Sequence, residues 1–322
     1  MGRLLIVAAV AAVFLLDLAV GRIWLSLDDM WQVARHGPGA EHWILVYELR
    51  LPRIATAVGA GAAFGLAGGI CQSLFRNPLA APEMLGVTAG ASLGAVGLVL
   101  AGFQGAVVGL GAGCGAILAV VLLLILAGGA PAVTRLILTG VGISLTASAL
   151  TGLLLSRADD ALAGDAMLWL TGSLNGRHWP QARLIWGALL PLLLLSVAGA
   201  RWLDRLELGD DLAQSLGVPV RMARMVLILL AAALIAAAVS VTGPVGFVGL
   251  MAGPIARSLS RHSGPDLIGA ALVGALIMVL ADLMVTLTAF RVLLPVGIFT
   301  GLLGAPWLIW LLWRDTSERR VM

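Results

Sequence analysis

Residues 54–75, IATAVGAGAAFGLAGGICQSLF, run without one charged side chain. A hydrocarbon core of about 30 Å takes about 20 apolar residues in helix, so this stretch is long enough to cross a bilayer. Its glycines say where it sits. Gly59, Gly61, Gly65, Gly68 and Gly69 offer a surface on which other helix backbones can lie close. In lipid no hydrophobic drive brings helices together, and close packing over small residues takes its place. The stretch is therefore expected inside a helical bundle, away from its rim.

Runs of similar character lie at 4–20, 86–102, 106–127, 135–156, 183–200, 223–242, 246–258, 267–288 and 296–313, giving about ten expected spans with 54–75. The run at 246–258 is short, bounded by Gly243-Pro244 and Arg257. Composition agrees: 11% of the 322 residues are charged and the mean hydropathy is +1.03, whereas a soluble domain carries roughly 25% charged residues. So little charge suits an outer face that meets lipid. The expected fold class is an all-α, polytopic membrane protein forming one domain over 1–322. The N-terminal run resembles a leader peptide, but no small-x-small site opens onto a polar domain, so it is expected to stay as the first span.

The basic residues are all arginine, for there is no lysine. Placing the N-terminus inside puts the larger share of arginines on the cytoplasmic side, chiefly in 201–224 and the C-terminal tail, as the positive-inside tendency requires. No arginine cluster lies on a polar amphipathic stretch, so nucleic-acid binding is not expected. Without lysine there is no Walker A motif, and any use of ATP must belong to a separate subunit. His36, His42, His178 and His262 are dispersed, so neither a metal site nor a cofactor is expected. Cys71 and Cys114 lie in apolar runs without metal-type spacing and read as buried, inert thiols. No paired catalytic groups occur within spans, so the chain is not expected to be an enzyme. Asp282 is an acid inside an apolar run, a place where function is the default hypothesis; proton coupling and a structural role are both open. A secondary transporter would show paired interrupted helices with buried charges at the midplane, and only Asp282 approaches this.

One substantial polar segment interrupts the spans, Arg201–Arg224, RWLDRLELGDDLAQSLGVPVRMAR. Gly209 and Gly217 punctuate it, and Asp210-Asp211 stand where a short helix would start and gain from the dipole. It is either a solvated loop or a docking surface for a cytoplasmic partner.

Motifs appear in a fixed order from about residue 50 to 307. Arg50-Leu51-Pro52-Arg53 precedes the glycine-rich span, and Gln72, Asn77-Pro78-Leu79-Ala80 and Leu85-Gly86 follow it. Gly172-Ser173-Leu174-Asn175-Gly176 with Trp179 comes next, then Leu208–Val218, Gly243–Leu250, Pro295-Val296-Gly297 and Gly304-Ala305-Pro306. Together these resemble the iron-chelate and vitamin B12 (FecCD-type) permease family of ABC importers, whose signature includes R-L-P-R, Q-x-x-x-x-N-P-L-A and G-S-L-x-G-x-x-W.

The resemblance implies a type II importer permease in the bacterial inner membrane, about ten spans per subunit. Its partners would be a second permease subunit, identical or not, two cytoplasmic ABC ATPase subunits and a periplasmic binding protein. The implied cargo is a ferric siderophore, with haem or cobalamin as alternatives. The Asp-Asp-Leu-Ala and Ser-Leu-Asn-Gly stretches look closest to permeases for catecholate chelates of the ferric-enterobactin type. Within a coupling segment of about 203–222, Leu208, Gly209, Asp210, Asp211, Ala213, Leu216 and Gly217 would seat in the ATPase. Asp211, Ala213 and Gly217 match the E-A-A-x-x-x-G importer pattern with Asp for Glu. Arg50, Arg53 and Arg177 would either dock the binding protein or, for the first two, anchor a span at the headgroups. Gln72, Asn77, Pro78, Thr88 and Ser92 would line the pathway, with small-residue helix packing as the other reading. Four positions depart from the family pattern. Thr286 stands where an Arg usually follows Asp282, Gly253-Pro254 replaces Pro-His, and Leu293 replaces an acid.

Overall fold

A computed structural model describes residues 2–21, 23–128, 133–260, 264–288 and 294–319, with side chains through Trp313. Arg22, Arg261, His262, Arg291, Leu293 and Arg320 lie outside the described residues. Among those described, every regular element is helical: α1 (Gly2–Ala19), α2 (Leu27–His36), α3 (Leu51–Leu74), α4 (Val87–Leu100), α5 (Ala106–Ala127), α6 (Val133–Leu155), α7 (Asp160–Leu170), α8 (Trp179–Glu207), α9 (Asp210–Ser215), α10 (Val220–Thr242), α11 (Val248–Ser260), α12 (Leu267–Thr288) and α13 (Val296–Arg319). A π-helical stretch, Ile44–Arg50, leads directly into α3. Eight helices are long and apolar enough to span a membrane. Two shorter ones, α4 and α11, fall where the third and eighth spans were expected, so the count of about ten agrees.

The glycine-rich span is the hub. In the run Ile44–Leu74, 89% of the most apolar stretch is buried within the chain, against 17% in α1. A Cβ on Gly61 would stand 2.5 Å from the Gly274 carbonyl oxygen and 2.6 Å from Met278 Cβ of α12. One on Gly68 would strike the Gly249 carbonyl of α11. Small residues thus bring α3 against two neighbours at backbone contact, the packing expected in lipid. Cys71 is buried as expected, but Cys114 is exposed beside Leu110, Ile117 and Leu118, on a face of α5 that has no neighbour within this chain.

Two sets of contacts define the ends of the bundle. At one end Arg3 of α1 pairs with Asp266 before α12 at 2.9 Å, and Arg76 after α3 reaches Asp210 at 3.5 Å. At the other, Ser173 N–H donates to Thr242 O (2.7 Å), Asn175 Nδ2 to Leu294 O (3.4 Å) and Trp179 Nε1 to Tyr47 O (2.9 Å). Tyr47 also stacks on Trp43 with centroids 4.3 Å apart. The first end carries the polar segment, which the arginine distribution is expected to place on the cytoplasmic side.

The polar segment is more helical than a loop reading allows. Helix α8 runs on to Glu207 because Leu203 and Leu206 continue its buried stripe, and α10 already starts at Val220. Only residues 208–219 form the connection.

Candidate functional site

That connection is an elbow with a fixed back and a free front. Gly209 caps α9 at φ +110° and ψ 157°, a region essentially restricted to glycine. Gly217 closes it at φ +80° with open space around it. Between them α9 begins at Asp210, where the sequence placed it. Ala213 and Val218 are buried against the bundle. Asp210 accepts two hydrogen bonds from Arg224 Nη2, at 2.8 and 2.9 Å, and a longer one from Arg76. Arg205 Nη1 donates to the Leu216 carbonyl at 3.1 Å. The front carries Leu208, Leu212 and Leu216, all more than half exposed. Leu212 and Leu216 stand one turn apart at the end of α9, while Leu208 lies across the break at Gly209, at the end of α8. Asp211 is exposed as well, whereas the arginines converge on Asp210. Sequence reading missed Arg224, buried at 4% exposure; its spacing of 14 from Asp210 follows no helical period.

The outward arginines are engaged within the chain. Arg50 donates to the carbonyls of Leu18 (2.6 Å), Ala19 (3.2 Å) and Ile23 (2.6 Å), closing the free end of α1. Arg53 grips Asp282, with Nε 3.0 Å from each carboxylate oxygen and Nη2 2.6 Å from Oδ1. Asp282 therefore has the arginine partner that position 286 does not supply. Arg177 is different: among the described residues its Nε donates to the Ser173 carbonyl alone, at 3.4 Å. It lines a cavity of 430 Å³ at the end of the bundle away from the elbow, with Asp165, Gln104 and Trp169, where burial lowers its pKa from the ordinary arginine value.

Gln72 lies inside the protomer and not on a wall, 2% exposed. The reason is Pro254, whose missing N–H frees the Leu250 carbonyl four residues back. Gln72 Nε2 donates to that carbonyl at 3.0 Å and to Gly249 O at 3.3 Å, while Arg257 Nη2 approaches Oε1 at 3.4 Å. A Cβ on Gly253 would collide with the Gln72 amide. The Gly253-Pro254 departure thus makes both the space and the acceptor that Gln72 fills. Asn77 and Pro78 form an exposed turn in which Asn77 Oδ1 accepts from Leu79 N–H at 2.9 Å. Thr88 and Ser92 sit one turn apart on α4, both half-buried.

The model of the FecCD transport family matches residues 8–314. The chain belongs to that family. It is 39% identical over 315 residues to the Fe(3+) dicitrate transport system permease protein FecD of Escherichia coli (strain K12), covering 96% of this chain and 97% of that one. Identity to the hemin transport system permease protein HmuU of Yersinia pestis is 35%, with 93% and 91% covered. For the vitamin B12 import system permease protein BtuC of Salmonella typhi it is 34%, with 92% and 90% covered. A solved metal-chelate type ABC transporter in an inward-facing conformation superposes with a TM-score of 0.83 at 28% identity, over 96% of this chain and 97% of that one. This FecCD protein is therefore a non-enzymatic ABC importer permease of the inner membrane with the type II fold. Membership implies a partner permease, ATPase subunits and a binding protein.

Proposed function

We propose that this FecCD permease forms one half of the translocation pathway of a ferric-siderophore importer, acting as a single domain over 1–322. Segment 203–222 serves as the seat for a cytoplasmic ATPase. The carrying observation is that Leu208, Leu212 and Leu216 are all exposed on an elbow whose back is held by Ala213, Val218 and the Asp210–Arg224 pair. On the cytoplasmic side, where the arginine distribution puts the elbow, exposed apolar side chains grouped in water mark a partner site. The buried and hydrogen-bonded back lets a push on these leucines travel into α8 and α10. Arg177 docks a carboxylate of the binding protein; such partly exposed pairs contribute about 0–1 kcal/mol each, which suits a partner that must leave. Arg50 and Arg53, being engaged within the chain, favour an anchoring role. Thr88, Ser92 and the Asn77-Pro78 turn contribute to the pathway wall.

For the cargo, the Asp-Asp-Leu-Ala and Ser-Leu-Asn-Gly stretches favour a catecholate chelate of the ferric-enterobactin type. The 39% identity to a ferric dicitrate permease favours ferric citrate as the second reading. Proteoliposomes holding the permease pair, its ATPase and its binding protein, offered radiolabelled ferric catecholate, ferric citrate, haem and cobalamin, test this directly. ATP-dependent uptake of a ferric siderophore is expected, and it should vanish in Leu212→Asp while insertion persists. Uptake of haem or cobalamin alone would overturn the cargo reading, and uptake without ATPase would overturn the whole assignment.

A further inference from the structure

Helix α2 has two apolar sides, and the bundle covers one of them. Val33 is buried and Met30 half-buried, whereas Trp24 just before the helix, Leu27 and Trp31 are 72%, 79% and 60% exposed. Leu27 and Trp31 lie one turn apart and share a flank; Asp28, Gln32 and His36 form an exposed polar side beyond it. The level of α2 in the bilayer follows from α1. The 18 residues of α1 rise about 27 Å at about 1.5 Å each, close to the hydrocarbon core of about 30 Å, so Ala19 marks the hydrocarbon boundary. The chain folds back there at once. Leu25 N–H donates to the Ala19 carbonyl at 3.0 Å, and Arg50 holds the carbonyls of Leu18, Ala19 and Ile23. Helix α2 therefore starts at that boundary, at the end of the bundle away from the elbow. Exposed apolar side chains continue along the chain across the turn, from Leu15 and Leu16 of α1 to Ile23, Trp24 and Leu27.

One cation stands beside this flank. The Arg35 guanidinium lies over the Trp31 ring, 5.6 Å from its centroid, and makes no hydrogen bond or ion pair among the described residues. The two acids of the helix are taken up at its start: Ser26 N–H and Oγ–H donate to Asp29 at 2.7 Å each, and Gln32 Nε2 donates to Asp28 at 2.8 Å. Tryptophan at the hydrocarbon boundary settles among lipid headgroups, and an arginine there keeps its stem on apolar surface while its head meets phosphate. We infer that α2 is an interfacial anchor, with Trp24, Leu27 and Trp31 in the headgroup layer and Arg35 donating to the phosphate of a phospholipid. The anchor holds the end of α1 at a fixed depth. A binding protein would cover the same flank only while docked and would return three large apolar side chains to water on leaving. The bilayer covers them throughout the cycle.

The test places a nitroxide label on Leu27→Cys, Trp31→Cys or Gln32→Cys, each in a Cys114→Ala background, with the full chain in phospholipid nanodiscs. Relaxation of the label by oxygen, which concentrates in lipid, is compared with relaxation by a water-soluble nickel chelate. Labels at 27 and 31 should respond mainly to oxygen, and the label at 32 mainly to nickel. Adding Arg35→Glu sets a carboxylate against the lipid phosphate and should raise the nickel response of the label at 27, whereas Arg35→Lys should leave it unchanged. Nickel responses at 27 and 31 equal to that at 32, or a label at 27 shielded only after the purified binding protein is added, would overturn the anchor. A label at 27 indifferent to Arg35→Glu would overturn the phosphate contact.

Discussion

Gln72 shows how one side chain can carry the logic of a helix pair. It satisfies a carbonyl that Pro254 has freed and occupies space that Gly253 leaves. Leucine at 72 would leave the Leu250 carbonyl and the Arg257 guanidinium without that partner. Each buried group stranded in this way costs about 1–3 kcal/mol, so Gln72→Leu should lower the thermal midpoint of the purified permease, with Gln72→Asn intermediate. Asp266 gives a pH dependence of known sign. Burial raises its pKa, but the Gly269 N–H at 2.9 Å and Arg3 at 2.9 Å outweigh this and hold the carboxyl below its ordinary value. Its contribution is complete above the usual carboxylate range of about 4 and is lost as pH falls through the depressed value. Unfolding midpoints measured on acidification should therefore fall in wild type and fall less in Asp266→Asn. Neither site was legible in advance: the Gln72 and Asp266 partners lie 178 and 263 positions away, and no periodicity marks such a pairing. Asp282 was visible as an oddity, but its arginine was sought one turn away on the same helix and sits on α3.

The elements themselves were easier to read. Hydropathy located α3, α5, α6, α10 and α12 because each is a long apolar run that must satisfy its backbone internally in lipid. The elbow was marked by its charges and two glycines, and α9 starts at the expected Asp210. The reach of α8 was underestimated, since a run of charged residues hides the buried Leu203 and Leu206 between them. The two glycines of the elbow predict graded effects. At Gly209, φ +110° with ψ 157° is strained for any residue with a Cβ, at about 1–3 kcal/mol. At Gly217, φ +80° is closer to the left-handed helical region and surrounded by open space, where a side chain costs about 1–2 kcal/mol. Gly209→Ala should therefore uncouple ATP hydrolysis from uptake more severely than Gly217→Ala, and a bulky residue at 217 should abolish transport while leaving membrane insertion intact. Equal transport by all three variants and wild type would remove the elbow from the mechanism.

At the scale of the whole molecule, glycine contacts fix α3 to α11 and α12, loop contacts such as Ser173 to Thr242 close the outer end, and the elbow stands free at the inner end. The central claim is that the motor grips this elbow from the cytosol. The most direct measurement places Leu212→Cys in a Cys114→Ala background, in inside-out vesicles containing the ATPase, and follows cross-linking by a membrane-impermeant bifunctional reagent. The account predicts a permease–ATPase adduct that forms in inside-out vesicles and not in right-side-out ones. Labelling of residue 212 from the extracytoplasmic side, or cytoplasmic labelling that never captures the ATPase, would contradict it.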